Sequence, residues 1–98
     1  MNALNRMGER HHGIHVAPLQ KEHELVAWRT AIPRADRIRI REHTCDCRTI
    51  SYELCQGGGL MFVRRTYRSG GVVVHESDWL RTGEAEPLWR LLLLGQAR

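Results

Sequence analysis

Between positions 43 and 55 the chain reads His43-Thr44-Cys45-Asp46-Cys47 and, on the next predicted strand, Cys55. Thiolate sulfur and imidazole nitrogen are the usual donors to zinc, so His43, Cys45, Cys47 and Cys55 form a candidate tetrahedral set. The spacing argues against it. Structural zinc sites take paired ligands two to four residues apart on a knuckle, and Cys-x-Cys followed by a lone strand cysteine fits that pattern poorly. In an extended segment the four side chains share a face but spread too far along it to meet, and only a turn near Asp46 would return Cys55 to the others. The expected role of the cysteines is therefore that of small buried hydrophobes, with no cofactor. A second group, His11, His12 and His15, lies in a polar N-terminal stretch and reads as solvated side chains, with His12 and His15 one turn apart only if that stretch were helical.

Other chemistry-bearing residues do not assemble into a reaction centre. His75 and Glu76 are adjacent on a predicted strand, where neighbours point to opposite faces, so they do not form an acid–base pair. Gly57-Gly58-Gly59 joins two strands and leads into no helix N-terminus, which removes the geometry by which glycine-rich loops hold phosphate. No catalytic residues are assigned, and the chain is expected not to be an enzyme. The arginines are more suggestive. Arg37, Arg39 and Arg41 alternate along one strand, and Arg64, Arg65 and Arg68 lie near the end of another. Together they form a candidate surface for DNA or another acidic partner, set against the ordinary reading of charges that discourage edge pairing.

These residues must be positioned by a sheet. Over residues 49–56 Ile50, Tyr52 and Leu54 alternate with polar neighbours, the period of a strand with one buried face. The glycine run ends it, an apolar and aromatic stretch follows over residues 60–67, and Ser69-Gly70-Gly71 supplies a second turn before Val72-Val73-Val74. The meander spans about residues 49–77. Arg37-Ile38-Arg39-Ile40-Arg41 alternates strictly and adds another strand, giving an α+β fold with an antiparallel sheet of four or five strands. Residues 19–28 carry a weak helical pattern, with Trp28 expected in the core. A C-terminal helix is predicted over residues 84–94, with Thr82 as its N-cap and Pro87 near its first turn. Leu88, Leu91 and Leu92 share a face that Trp89 widens, so the helix must dock on the sheet or on a second subunit. Residues 1–13 are expected to form a mobile arm and residues 14–98 one domain.

The chain has 98 residues and a net charge of +4, with fourteen arginines and one lysine, Lys21. That excess is modest for a protein whose affinity rests on phosphate contacts, and it is concentrated in residues 29–48, which hold six arginines against Asp36, Glu42 and Asp46. No stretch has the pattern of a signal peptide or the length of a membrane span, and three cysteines fit reduced thiols, so a cytoplasmic location without membrane partners is expected. A single helix covers only one face of such a sheet, which favours a homodimer.

Tyr52-Glu53-Leu54-Cys55, the glycine turn, Phe62-Val63-Arg64-Arg65, Glu76-Ser77 and the tail from Leu88-Trp89 through Leu92-Leu93-Leu94 to Gly95-Gln96-Ala97-Arg98 carry a resemblance. Over roughly its C-terminal half the chain resembles the BldB-like family of small actinobacterial developmental regulators. The resemblance implies a cytoplasmic, self-associating, non-catalytic regulator required for aerial growth and sporulation or antibiotic production. Together with the fold pattern and the missing active site it leads to the expectation of a dimeric module that binds a regulatory protein partner, or, through the arginine faces, DNA. The resemblance brings no catalytic residues.

Overall fold

The alternation of apolar residues from Ile50 onward becomes the centre of a five-stranded antiparallel sheet in a computed structural model that describes residues 13–98. The strands are β1 (Arg29–Thr30), β2 (Arg39–His43), β3 (Ile50–Gly57), β4 (Leu60–Arg68) and β5 (Val72–Glu76), in the spatial order β1-β5-β4-β3-β2. A C-terminal helix, α1 (Thr82–Leu93), packs across β4. This is the expected α+β architecture, with the fifth strand supplied by β1. The arm assigned to residues 1–13, with His11 and His12, lies outside the described residues except for Gly13.

The long hairpin of β3 and β4 fixes the register of everything else. Tyr52 stands opposite Arg65, Leu54 opposite Val63 and Gly57 opposite Leu60, so the connection is the two-residue turn Gly58-Gly59. Both turn glycines have positive φ, 57° and 79°, the combination that matches the twist of a tight hairpin and that side chains with a Cβ resist. From this register Ile50, Tyr52, Leu54, Met61 and Val63 share one face. Ala85, Trp89 and Leu92 of α1 close over it, all at most 4% exposed. Leu88, Leu91 and Leu93 flank this contact and are half-buried.

The opposite face is covered by a different device. Beyond Ser77, whose amide still donates to the Val63 carbonyl, the chain leaves the ladder, and Leu80 rejoins it through a pair of backbone bonds with Met61, each 2.7 Å. The excursion lays Trp79 on Phe62, ring centroids 4.3 Å apart and nearly parallel. The connection between β1 and β2 adds Arg34 over the Trp79 ring and Ile38 beside Gly57. A Cβ at Gly57 would lie 2.7 Å from the Ile38 Cδ1 and 3.3 Å from both the Arg37 carbonyl oxygen and the Trp79 ring, so a larger residue there would require Ile38 to shift. The second face is thus sealed in part by this chain's own connection.

Three local expectations are corrected. Residues 19–28 form no helix, because their backbone is used elsewhere. The amides of Gln20, Glu24 and Val26 donate to the carbonyls of Gly95, Gln96 and Arg98, so this strap lies along the C-terminal tail, and Leu25, part of the supposed apolar stripe, is 80% exposed. Thr82 is the first helical residue rather than the cap. Arg81 occupies the cap position, and its carbonyl accepts from Glu84 and Ala85 without a capping side chain. Pro87 stands in the second turn, where it withholds one amide from the helix. The C-terminus of α1 is tightly finished. Gly95, at φ 71°, lets its own amide reach the Leu92 carbonyl and that of Gln96 the Leu91 carbonyl, the paired bonds of a Schellman stop. A Cβ at Gly95 would run into the carbonyl oxygen of Pro18. Trp28 joins the core edge as expected, stacked against Tyr52 at 6.0 Å.

Candidate functional site

The segment that carries Cys45 and Cys47 is held by two neighbours. On one side Thr44 pairs with β3, its amide donating to the Tyr52 carbonyl and its Oγ1 accepting from the Tyr52 amide. On the other side runs the short strap at residues 13–15, where Ile14 bridges Thr44 in parallel and its carbonyl accepts the Cys45 amide at 2.8 Å. A turn at Asp46 and Cys47 then folds the chain back, so that the Cys47 amide donates to the Cys45 sulfur at 3.4 Å. The strap brings His15 to the same point, its Nε2 standing 3.3 Å from the Cys47 sulfur. The donor atoms of His15, Cys45 and Cys47 all lie within 4.8 Å of one another, with Cys45 buried and the other two exposed.

The electrostatics of the two thiols are opposed. Burial works against a Cys45 thiolate, but hydrogen bonds from the Cys47 backbone and thiol, from His15 and from the Gly13 backbone outweigh it and bring the group from the usual 9.0 to about 6. Cys47 is pushed up, first by its hydrogen bond to Cys45, then by desolvation and by the charge of Cys45, with Arg48 opposing. At neutral pH the pair favours one thiolate and one thiol.

The other predicted ligands lie elsewhere. Cys55 is fully buried on the second sheet face opposite Phe62, its thiol directed to the Glu53 carbonyl and pushed up to about 11, chiefly by burial. His43 pairs with Glu53 across the β2–β3 ladder and does not belong to the converging group. In sequence His15 falls with His11 and His12 in one polar stretch. Its contact with Cys47 spans 32 positions, and no local pattern announces it.

The arginines are dispersed by the same registers. Arg37 precedes β2. Arg39 stands opposite Gln56, and an irregularity between Ile40 and Glu42 places Arg41 at a bulge, which breaks the alternation. Arg64 and Arg65, being neighbours on β4, face opposite sides. Arg64 pairs with Glu53 at 3.4 Å, whereas Arg65 lies over the rings of Trp28 and Tyr67. Arg68 donates to the Ser51 hydroxyl at 2.8 Å. Between β2 and α1 runs a groove floored by Leu54 and Trp89, its rim carrying Arg41, Glu42, Glu86 and Arg90 in balanced charge.

The two sheet edges differ in kind. β2 is exposed along its whole length, and its charged residues and bulge are the devices that blunt an edge. At the other side β1 is only two residues long and covers β5 at His75 and Glu76. Val72, Val73 and Val74 have no outer neighbour among the described residues, and they are 68%, 47% and 37% exposed. No described helix is long and apolar enough to cross a membrane. Comparison with family models, with curated proteins and with solved structures found no match.

Proposed function

We propose that this chain is a small non-enzymatic regulatory module of the BldB type, working in the cytoplasm as a homodimer that holds a macromolecular partner, and that its two copies join through β5. The observation that carries the dimer is the uncharged valine edge, flanked by a glycine turn on one side and protected by a strand of only two residues on the other. Antiparallel addition of a second copy centred on Val73 sets Val73 against Val73 and Val72 against Val74, a self-complementary pairing of the kind a two-fold axis requires. It satisfies the open backbone groups of both copies and withdraws the valines from water. The assignment to developmental control rests on the resemblance in the C-terminal half, and a protein partner is favoured over DNA because the arginines are divided between faces and partly engaged by Glu53, Ser51 and aromatic rings.

Light scattering of the untagged protein tests this reading. The expected mass is twice 11.4 kDa for the parent chain and 11.4 kDa for Val73→Asp, whose change lies at an exposed position and leaves the core untouched. A monomeric parent at tens of micromolar, or a dimeric Val73→Asp, removes β5 as the interface. The dimer is then titrated with short duplex DNA at low and moderate salt. No retardation is expected, and retardation with a steep salt slope would transfer the function to the arginines.

A further inference from the structure

We infer that His15, Cys45 and Cys47 form a binding site for a soft or borderline metal cation of the zinc class, which fastens the N-terminal strap to the turn after β2. The site is independent of the dimer edge and differs from the ligand set that spacing alone suggests, retaining Cys45 and Cys47 but replacing His43 and Cys55 by His15.

Three observations support it. The first is convergence. Zinc bonds of about 2.3 Å to sulfur and about 2.0 Å to nitrogen put tetrahedral donors roughly 3.3–3.8 Å apart. The three donor atoms here stand within 4.8 Å of one another, and one pair is at 3.3 Å, so one ion reaches all three after a small inward shift. The second is orientation. The Cys47 amide donates to the Cys45 sulfur and the Cys45 amide is anchored on the Ile14 carbonyl, so the thiol pair is aimed by backbone rather than by side-chain chance. The third is donor chemistry and access. Two sulfurs and an imidazole select zinc-class ions over magnesium or calcium, which require oxygen, and the exposed His15 and Cys47 leave an entry from solvent to the buried Cys45.

Binding takes His15 as neutral imidazole and both cysteines as thiolates, so the thiol protons present before binding are released to solvent. Three protein ligands leave one coordination position for water or an added donor, which makes the metal exchangeable. Its structural effect is to tie residue 15 to residues 45 and 47, segments that otherwise meet through the Ile14–Thr44 bridge.

The full-length reduced chain, stripped of metal by a chelator, is titrated with cobalt(II) and then with zinc. One equivalent of cobalt should give thiolate-to-metal charge-transfer absorption that zinc abolishes, and zinc should raise the thermal midpoint. Cys47→Ser and His15→Ala, both at exposed positions, should keep the parental circular dichroism and weaken cobalt binding by roughly tenfold or more. Cys55→Ser should retain parental binding. The site is refuted by an absence of stoichiometric charge-transfer absorption in the parent, by parental affinity in either Cys47→Ser or His15→Ala, or by loss of binding in a folded Cys55→Ser chain. If one exposed-site variant fails to fold, the other decides the matter.

Discussion

Three thiols in one small chain meet three different environments, and that difference is chemical before it is structural. Cys55 is fully buried opposite Phe62, where desolvation of a thiolate outweighs the opposing charge of Arg64. Its pKa is raised from 9.0 to about 11, so the folded chain holds the proton more tightly than the unfolded one. The stability that comes from the neutral thiol is complete below pH 9 and is lost as pH rises through about 11. Urea unfolding at pH 8 and pH 11 should therefore show a smaller alkaline decline for Cys55→Ala than for the parent, although the variant starts from a lower stability because of the cavity it leaves. An equal decline in both would assign the alkaline loss to other groups. Cysteines behaving as buried hydrophobes describes this residue well. Cys45 is buried as that reading expects but also accepts from the Cys47 amide two positions on, while Cys47 is exposed and meets His15, 32 positions away in sequence.

At the level of elements, α1 combines a well-made end with a poorly made interior. The Schellman stop at Gly95 satisfies its last carbonyls, while Pro87 removes an amide from the second turn and no side chain caps the start. Packing offsets these defects. Leu92 is fully buried and Trp89 nearly so against Tyr52, Leu54, Met61 and Val63. Leu92→Ala should cost about 2–5 kcal/mol in denaturant unfolding, whereas Pro87→Ala, at an exposed position, should stabilise by up to about 3 kcal/mol as the helix regains a hydrogen bond. A neutral Leu92→Ala would mean that α1 does not seat on the sheet as described. The leucine run read from sequence identifies the apolar side of this helix, but Ala85 at its centre carries no signal of its own. Its burial is decided by the closeness with which the helix crosses β4.

For the whole molecule, the two ends of the described chain support each other. The strap at residues 16–26 and the tail after α1 exchange backbone bonds, including two at Arg98, whose amide donates to the Glu24 carbonyl and whose carbonyl accepts from the Val26 amide. Deleting residues 96–98 should leave the amides of β3 and β4 protected in hydrogen exchange while those of Glu24 and Val26 exchange freely, since local opening follows the loss of local bonds. Unchanged protection at Glu24 and Val26 would show that the strap is held by its side chains instead. What the sequence determines by itself is whatever local periodicity and turn chemistry encode: the meander, its glycine turns, the β2 strand, the amphipathic helix and the α+β class. These follow from interactions among residues a few positions apart, and they hold here. The tertiary structure alone decides that residues 19–28 are a strap rather than a helix, that β1 shields only part of β5, that Arg41 falls at a bulge, and that His15 meets Cys45 and Cys47. Each of these depends on which backbone groups and faces remain unsatisfied after the sheet has formed, a competition between distant segments that no local pattern records.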